Sequence, residues 1–217
     1  MSRYIIEGGH PLCGELSING AKNAALPLLA ASLLTDQVCR LTNVPKIADV
    51  QTMIELMSLL GAKISWQGDE VLLDSSTLQN NILDQSLVRK LRASILLVGP
   101  LLARFGEVKI PYPGGCLLGR RPLDTHFQAF EDLGCEVKYE QDCFVIKRHA
   151  QPKPRIFLKE ASVTASENAL MAAAFLSDEI ELRNMASEPH VANLGQALMQ
   201  MGVKLEGNST NFVRIKG

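Results

Sequence analysis

Three stretches carry one pattern: "MIELMSLLGAKI" (53–64), "HFQAFEDLGCEV" (126–137) and "LGQALMQMGVKL" (194–205). Each is apolar at helical spacing, ends at a glycine and continues into alternating residues. Apolar residues recur one, four and eleven positions before Gly61, Gly134 and Gly202. They are Leu60, Met57 and Val50; Leu133, Phe130 and Leu123; Met201, Leu198 and Val191. Those offsets share one helical face. A glycine just past a helix suits the C′ position, where the backbone turns left-handed. The glycines lie about 70 residues apart, so the chain is an internal repeat.

Working outward, each copy is preceded by a second apolar helix: "NAALPLLAASLL", "RASILLVGPLLARF" and "ENALMAAAFLSD". Between the two helices lies a short strand-like segment: "QVCRLTNV", "EVKIPYP" and "EIELRNM". After the glycine come two more strands with a turn, as in "AKISWQGDEVLLD" and "VKLEGNSTNFVRIK". Each unit reads helix, strand, helix, strand, strand, and the class is α/β. A repeat of this kind builds either a solenoid or a closed three-fold domain. Three units at this period match no common solenoid. They suit a closed domain with apolar helices inside and sheets outside. The units are expected at about 20–75, 88–148 and 160–217, with polar or proline-containing linkers near 76–86 and 149–155.

The 217 residues suffice for one large or two small domains. Net charge is −1, so composition points to no nucleic-acid partner. The first residues, interrupted by Arg3, Glu7 and Glu15, lack the apolar core of a signal peptide. The apolar runs 24–34 and 95–103 each contain a proline and are too short to span a bilayer. The chain reads as a soluble cytoplasmic protein with no membrane partner. Five cysteines without a CxxC pair, and four scattered histidines, favour neither a disulfide framework nor a metal site.

Two stretches can carry chemistry. In "NGAKNAALPLLAA", Lys22 and Asn23 stand at the mouth of an apolar helix. Asn23 suits an N-cap and Lys22 a solvated surface charge. The same place offers free N–H groups and a positive dipole end, so the pair equally suits an anion. No P-loop spacing is present. The second stretch, "PYPGGCLLGRRPLDTHF" (111–127), is much longer than its counterparts "NVPKIADV" and "NMASEPHV". Departure from a repeat marks function more often than packing. Cys116 follows two glycines and lies near Arg120 and Arg121. Cationic neighbours favour thiolate, hence a reactive cysteine. The inert, buried alternative suits Cys39, Cys135 and Cys143, which occupy strand-like positions.

"NGAKNAALPLLAA", "LRASILLVGPLLAR", "GGCLLGRRPLDTHF" and "EPHVANL", followed by "MGVKLEG", resemble the UDP-N-acetylglucosamine 1-carboxyvinyltransferase family, in order along the whole chain. The resemblance implies one domain of the enolpyruvyl transferase fold, an inside-out α/β barrel. It also implies transfer of the enolpyruvyl group of phosphoenolpyruvate to the 3′-hydroxyl of UDP-N-acetylglucosamine, opening peptidoglycan synthesis. No metal or organic cofactor is implied. Lys22 and Asn23 match the pair contacting phosphoenolpyruvate, with Asn23 serving as cap and ligand. Cys116 matches the general acid. Arg92 matches an arginine of the nucleotide-sugar site. Arg121, Pro122, Leu123, Asp124 and Thr125 match the segment lining the uridine pocket. Ser162 and Val163 match part of the diphosphate loop. There "SVTASEN" departs from the usual "SVGATEN" by Thr164, and Glu160 replaces a lysine of some members.

Members of the family are about twice as long, with two such domains. The resemblance therefore implies that residues 20–217 form the three-unit domain and that 1–19 join the other domain as a strand segment. The chain is then the N-terminal half of a transferase whose partner is a separate C-terminal half. Two alternatives stay open: a nucleotide-sugar-binding or regulatory module without turnover, and a scaffold with a decayed site.

Overall fold

The computed structural model describes residues 3–114, 122–176 and 179–217. Three sheets, antiparallel except for one strand pair, stand around a bundle of helices. In the first unit, α1 (Lys22–Ala31) leads to β1 (Cys39–Leu41), α2 (Ala48–Leu59), β2 (Lys63–Gln67) and β3 (Glu70–Asp74). In the second, α3 (Gln85–Val88) and a 3-10 segment (Arg92–Leu97) precede α4 (Val98–Phe105) and β4 (Glu107–Pro111). Then follow α5 (Asp124–Asp132), β5 (Cys135–Glu140) and β6 (Cys143–Arg148). The third unit has β7 (Arg155–Phe157), α6 (Val163–Leu176), β8 (Ile180–Arg183), α7 (Pro189–Gln200), β9 (Lys204–Glu206) and β10 (Phe212–Lys216).

The sheet orders are β1-β3-β2, β4-β6-β5 and β7-β8-β10-β9. In every sheet the unit's last strand lies between its first two, so the three copies share one topology. Strand β7 is an addition that the repeat does not contain; it pairs parallel with β8, Ile156 facing Leu182. The three glycines at the ends of α2, α5 and α7 have φ of +106°, +83° and +101° at Gly61, Gly134 and Gly202. That conformation is costly for any residue with a Cβ. A Cβ at Gly134 would also lie 2.3 Å from the Ala150 carbonyl oxygen.

The inner helices bury nearly their whole circumference, which accounts for their lack of a polar face. In α1, Ala25, Leu26, Leu29, Ala30 and Ala31 are buried, and in α6 burial runs from Ala165 to Ala174. Helix α5 packs on α6, α7 packs on α1, and α2 touches the 92–97 segment. Each unit's second helix thus rests on the next unit's first, and the α7–α1 contact closes the ring. This closed three-fold arrangement, not a solenoid, is the one expected from the pattern, and it is the inside-out barrel that the resemblance implies. Among the described residues no helix is long and apolar enough to cross a membrane.

Candidate functional site

Helix α1 begins at Lys22, two residues earlier than an Asn23 cap would place it. Its cap is Ala21, which offers no side-chain hydrogen bond. Asn23 is therefore the second helical residue and not the cap, a correction to the sequence reading. The earliest intrahelical bonds run from Ala24 and Ala25 to the Ala21 carbonyl. The N–H groups of Lys22 and Asn23 thus face outward at the positive end of the helix dipole. The mouth is held by a glycine contact. Gly20 N donates to Asn43 Oδ1 at 3.0 Å, and a Cβ at Gly20 would lie 1.8 Å from the Asn43 carbonyl oxygen. Asn43 turns the chain after β1 with a φ of +53°. The Lys22 ammonium pairs with Asp49 Oδ2 at 2.9 Å, both side chains about half exposed.

Several helical starts meet at one cleft of about 400 Å³. Its lining includes Asn23 of α1, Ala93 of the 92–97 segment, Val163 and Thr164 of α6, and Glu188 and His190 at the start of α7. Pro27 lines it too, and, lacking an N–H, leaves the Asn23 carbonyl without its helical donor. A larger cavity, about 860 Å³, lies at the other end of α6 among Arg148, Phe175 and Met201; no predicted site residue lines it.

Arg92 reaches both flanks of the long loop. Its Nη1 donates to the Pro113 carbonyl and its Nη2 to the Pro122 carbonyl, each at 3.3 Å. The guanidinium also lies 5.9 Å from the Tyr112 ring centroid. Gly114 seats the loop's near end, its N–H donating to the Val88 carbonyl at 3.2 Å. Cys116 and Arg121 lie outside the described residues. On the far flank Pro122 and Asp124 are exposed, Leu123 and Thr125 buried. Asp124 is the first residue of α5, where a carboxylate complements the dipole. Ser162 and Val163 open α6, and the Ser162 carbonyl accepts the first bond of that helix, from Ser166 N at 2.9 Å.

Three consecutive buried polar residues, Ser166, Glu167 and Asn168, interrupt the apolar sequence of α6. Ser166 Oγ accepts from Ala186 N at 2.9 Å. Asn168 Oδ1 accepts from Gly99 N at 2.9 Å, satisfying a free donor at the start of α4. Its Nδ2 donates to the Ile95 carbonyl at 3.0 Å and faces His126 Nδ1 at 3.2 Å. His126 Nε2 lies 2.9 Å from Thr164 Oγ1. Burial, and secondarily Arg92, holds the His126 imidazole neutral, its pKa down to about 3. Glu167 is 1% exposed, and its Oε1 has no hydrogen-bond partner among the described residues. Burial and then Glu188 push its carboxyl up to about 8. It lines the cleft with His190, whose Nε2 is also buried without a partner among the described residues.

The structure thus brings Asn23 and Val163 to one cleft, and links the 122–125 segment to it through His126 and Thr164. Glu167, Asn168 and His126 were not among the predicted site residues. For Glu167 and Asn168 the signal was visible: a "SEN" triplet inside an otherwise apolar helix requires partners for each polar group.

The EPSP synthase (3-phosphoshikimate 1-carboxyvinyltransferase) family profile matches residues 6–217. The chain belongs to this family. Among curated relatives it is 46% identical to UDP-N-acetylglucosamine 1-carboxyvinyltransferase of Bradyrhizobium diazoefficiens, over 99% of this chain and 50% of the relative. It is 43% identical to the enzyme of that name from Desulfosudis oleivorans, over the whole of this chain and 52% of the relative. The chain spans about half the length of the curated relatives it matches. Among solved structures, the enolpyruvyl transferase NikO of Streptomyces tendae superposes with a TM-score of 0.82 at 19% identity, over 96% of this chain and 49% of that one. EPSP synthase of Acinetobacter baumannii gives 0.73 at 16%, over 94% and 47%. Those two likenesses establish the fold.

Proposed function

We propose that this chain supplies one of the two domains that transfer the enolpyruvyl group of phosphoenolpyruvate to the 3′-hydroxyl of UDP-N-acetylglucosamine, the first committed step of peptidoglycan synthesis. The supporting observation is the convergence of the α1 and α6 starts on one cleft, with Asn23 and Val163 both lining it. Two helix N-termini favour anions, and both substrates are anionic. The relatives of known name carry the same reading.

In this reading Lys22 and Asn23 hold phosphoenolpyruvate. Competition for Lys22 with Asp49 is weak, because an exposed ion pair contributes only about 0–1 kcal/mol. Arg92, with the segment Arg121, Pro122, Leu123, Asp124 and Thr125, holds the uridine end, and Ser162 and Val163 the diphosphate. Cys116 gives its proton to C3 while the sugar oxygen bonds to C2. The tetrahedral adduct then loses a C3 proton and phosphate, restoring the double bond. Addition and elimination leave no net redox change, so the reading assigns no cofactor. The hydroxyl base and a further share of anion-binding charge belong to the second domain in this reading.

Residues 20–217 then form the three-unit domain, and 1–19 a strand segment of the second. In support, Tyr4, Ile5, Ile6, Leu12, Leu16 and Ile18 are 84–99% exposed, an apolar run that none of the described residues covers. Such a protein would act in the cytoplasm, where both substrates are made. Calorimetric titration with UDP-N-acetylglucosamine tests the assignment. Binding is expected, and its absence, both for the chain alone and for the chain mixed with the second domain of a relative, would refute it.

A further inference from the structure

Beyond that reading, and resting on it only for the identity of the ligand, the geometry assigns Thr164 a directed role. We propose that Thr164 presents its hydroxyl proton as an oriented donor to an anionic oxygen bound at the start of α6, and that His126 sets the orientation.

The direction follows from proton bookkeeping along one chain of hydrogen bonds. Gly99 N can only donate, so Asn168 must point Oδ1 toward it and Nδ2 toward the Ile95 carbonyl and His126. An amide nitrogen has no acceptor capacity, so His126 Nδ1 must be the acceptor. A neutral imidazole then carries its proton on Nε2 and donates it to Thr164 Oγ1 across 2.9 Å. The hydroxyl cannot return its own proton to His126. Among the described residues Thr164 Oγ1 has no second partner, and Thr164 lines the cleft. The proton is therefore free for a ligand.

A second, independent feature points to a ligand at the same place. Glu167, one turn further along α6, is buried, lines the cleft and leaves Oε1 unsatisfied. The groups around it are Asn23 of α1, Glu188 and His190 of α7 and Ala93 of the 92–97 segment. Glu188 repels a charge on Glu167, and burial disfavours it, so the carboxyl is neutral at neutral pH and can also donate. Thr164 and Glu167, at i and i+3, share a helical face. Two neutral donors beside the α6 dipole make a clip for a phosphate or carboxylate oxygen.

The test uses the 217-residue chain and three probes: UDP-N-acetylglucosamine, phosphoenolpyruvate and inorganic phosphate. Thr164→Val keeps the shape and removes the donor, and Thr164→Ser keeps the donor. Thr164→Val should weaken at least one probe about tenfold or more, the usual effect of losing a hydrogen bond to a charged group, while Thr164→Ser stays near wild type. Loss confined to the nucleotide sugar places the oxygen on its diphosphate; loss with phosphoenolpyruvate places it there. Nitrogen NMR of His126 should show the Nε2–H tautomer, unchanged down to pH 5. An Nδ1–H tautomer, or wild-type affinity of Thr164→Val for every probe bound, overturns the proposal. Wild-type affinity of Thr164→Val for every probe, with nucleotide-sugar binding retained, would sink it while sparing the proposed function. Phosphate binding that depends on Thr164, without nucleotide-sugar binding, would do the reverse. A wild-type chain that binds none of the probes refutes both.

Discussion

Arg92 Nη2 donates to the Pro122 carbonyl, and its Nη1 donates to the Pro113 carbonyl. One guanidinium therefore ties together the two ends of the segment 114–121, which carries Cys116 and Arg121. The planar fork allows two directed bonds, which an ammonium cannot reproduce. Arg92→Lys should keep the charge and lose the tie. The expected result is a fall of about tenfold or more in the rate at which a phosphoenolpyruvate-like epoxide phosphonate labels Cys116. The folded state should lose only about 1–3 kcal/mol, the worth of charge-assisted bonds. Labelling at the wild-type rate would show that the tie does not position the loop.

Among the five cysteines, Cys116 should be the one that reagent labels. Burial pushes the Cys135 thiol up to about 11 and raises that of Cys39, so neither supplies much thiolate near pH 7. Cys143 Sγ donates to the Glu140 carbonyl at 3.0 Å. Cys13 is exposed, but it has no arginine neighbours in sequence to draw an anionic reagent. Peptide mapping should find the modification in the peptide containing Cys116. Equal labelling at Cys13 or Cys39 would contradict the special reactivity of the loop.

The fold was legible because three copies repeat one hydrophobic period, and each of Gly61, Gly134 and Gly202 marks the same left-handed turn. Strand β7 was not legible: "RIF" is three residues long, follows a proline, and gains its place only by pairing with β8. At the site, the residues found from sequence were those in unusual local settings, such as Lys22 at a helix mouth. His126 escaped because it sits on the apolar face of α5, where a histidine reads as ordinary core. Its partners Asn168 and Thr164 are about 40 residues away in sequence, and only the α5–α6 contact brings them together. The Asn23 cap failed for a local reason: α1 starts two residues early, with Ala21 in the cap position.

Stability should vary with pH in a way set by His126 and Glu167. His126 ordinarily titrates near 6.5 and is held down to about 3 in the fold. Between those values the unfolded chain takes up a proton that the folded chain refuses, so stability falls as pH falls. Glu167 ordinarily titrates near 4.5 and is pushed up to about 8. Between those values the folded chain keeps a proton that the unfolded chain has lost, so stability falls as pH rises. The two effects oppose each other from 4.5 to 6.5, leaving that range nearly flat. Above it only Glu167 acts, at about 1.4 kcal/mol per pH unit, for about 2 kcal/mol in all by pH 8. Urea denaturation across pH 5–9 should show this alkaline decline in the wild type and not in Glu167→Gln. A decline that persists in the variant would assign it elsewhere.

The chain by itself should not turn over. The transferring group develops charge on all sides, and preorganised donors on both sides are needed to stabilise it. In the proposed reading the α1 and α6 starts, with Lys22 and Asn23, contact that group from one side only. Loss of a single stabilising donor typically costs about 10²–10³ in rate, and here a whole wall with the hydroxyl base would be absent. Closure of two domains also excludes water and fixes the reacting atoms. Phosphate release from phosphoenolpyruvate and UDP-N-acetylglucosamine should be followed first with this chain and then after adding a separately expressed second domain. The exposed Tyr4, Ile5, Ile6, Leu12, Leu16 and Ile18 give that domain an apolar segment to cover, so mixing should both restore turnover and protect the peptide from proteolysis. Turnover by the chain alone would mean that its own residues, or a second copy of it, complete the site. Recovery only on mixing would establish it as half of a two-domain transferase.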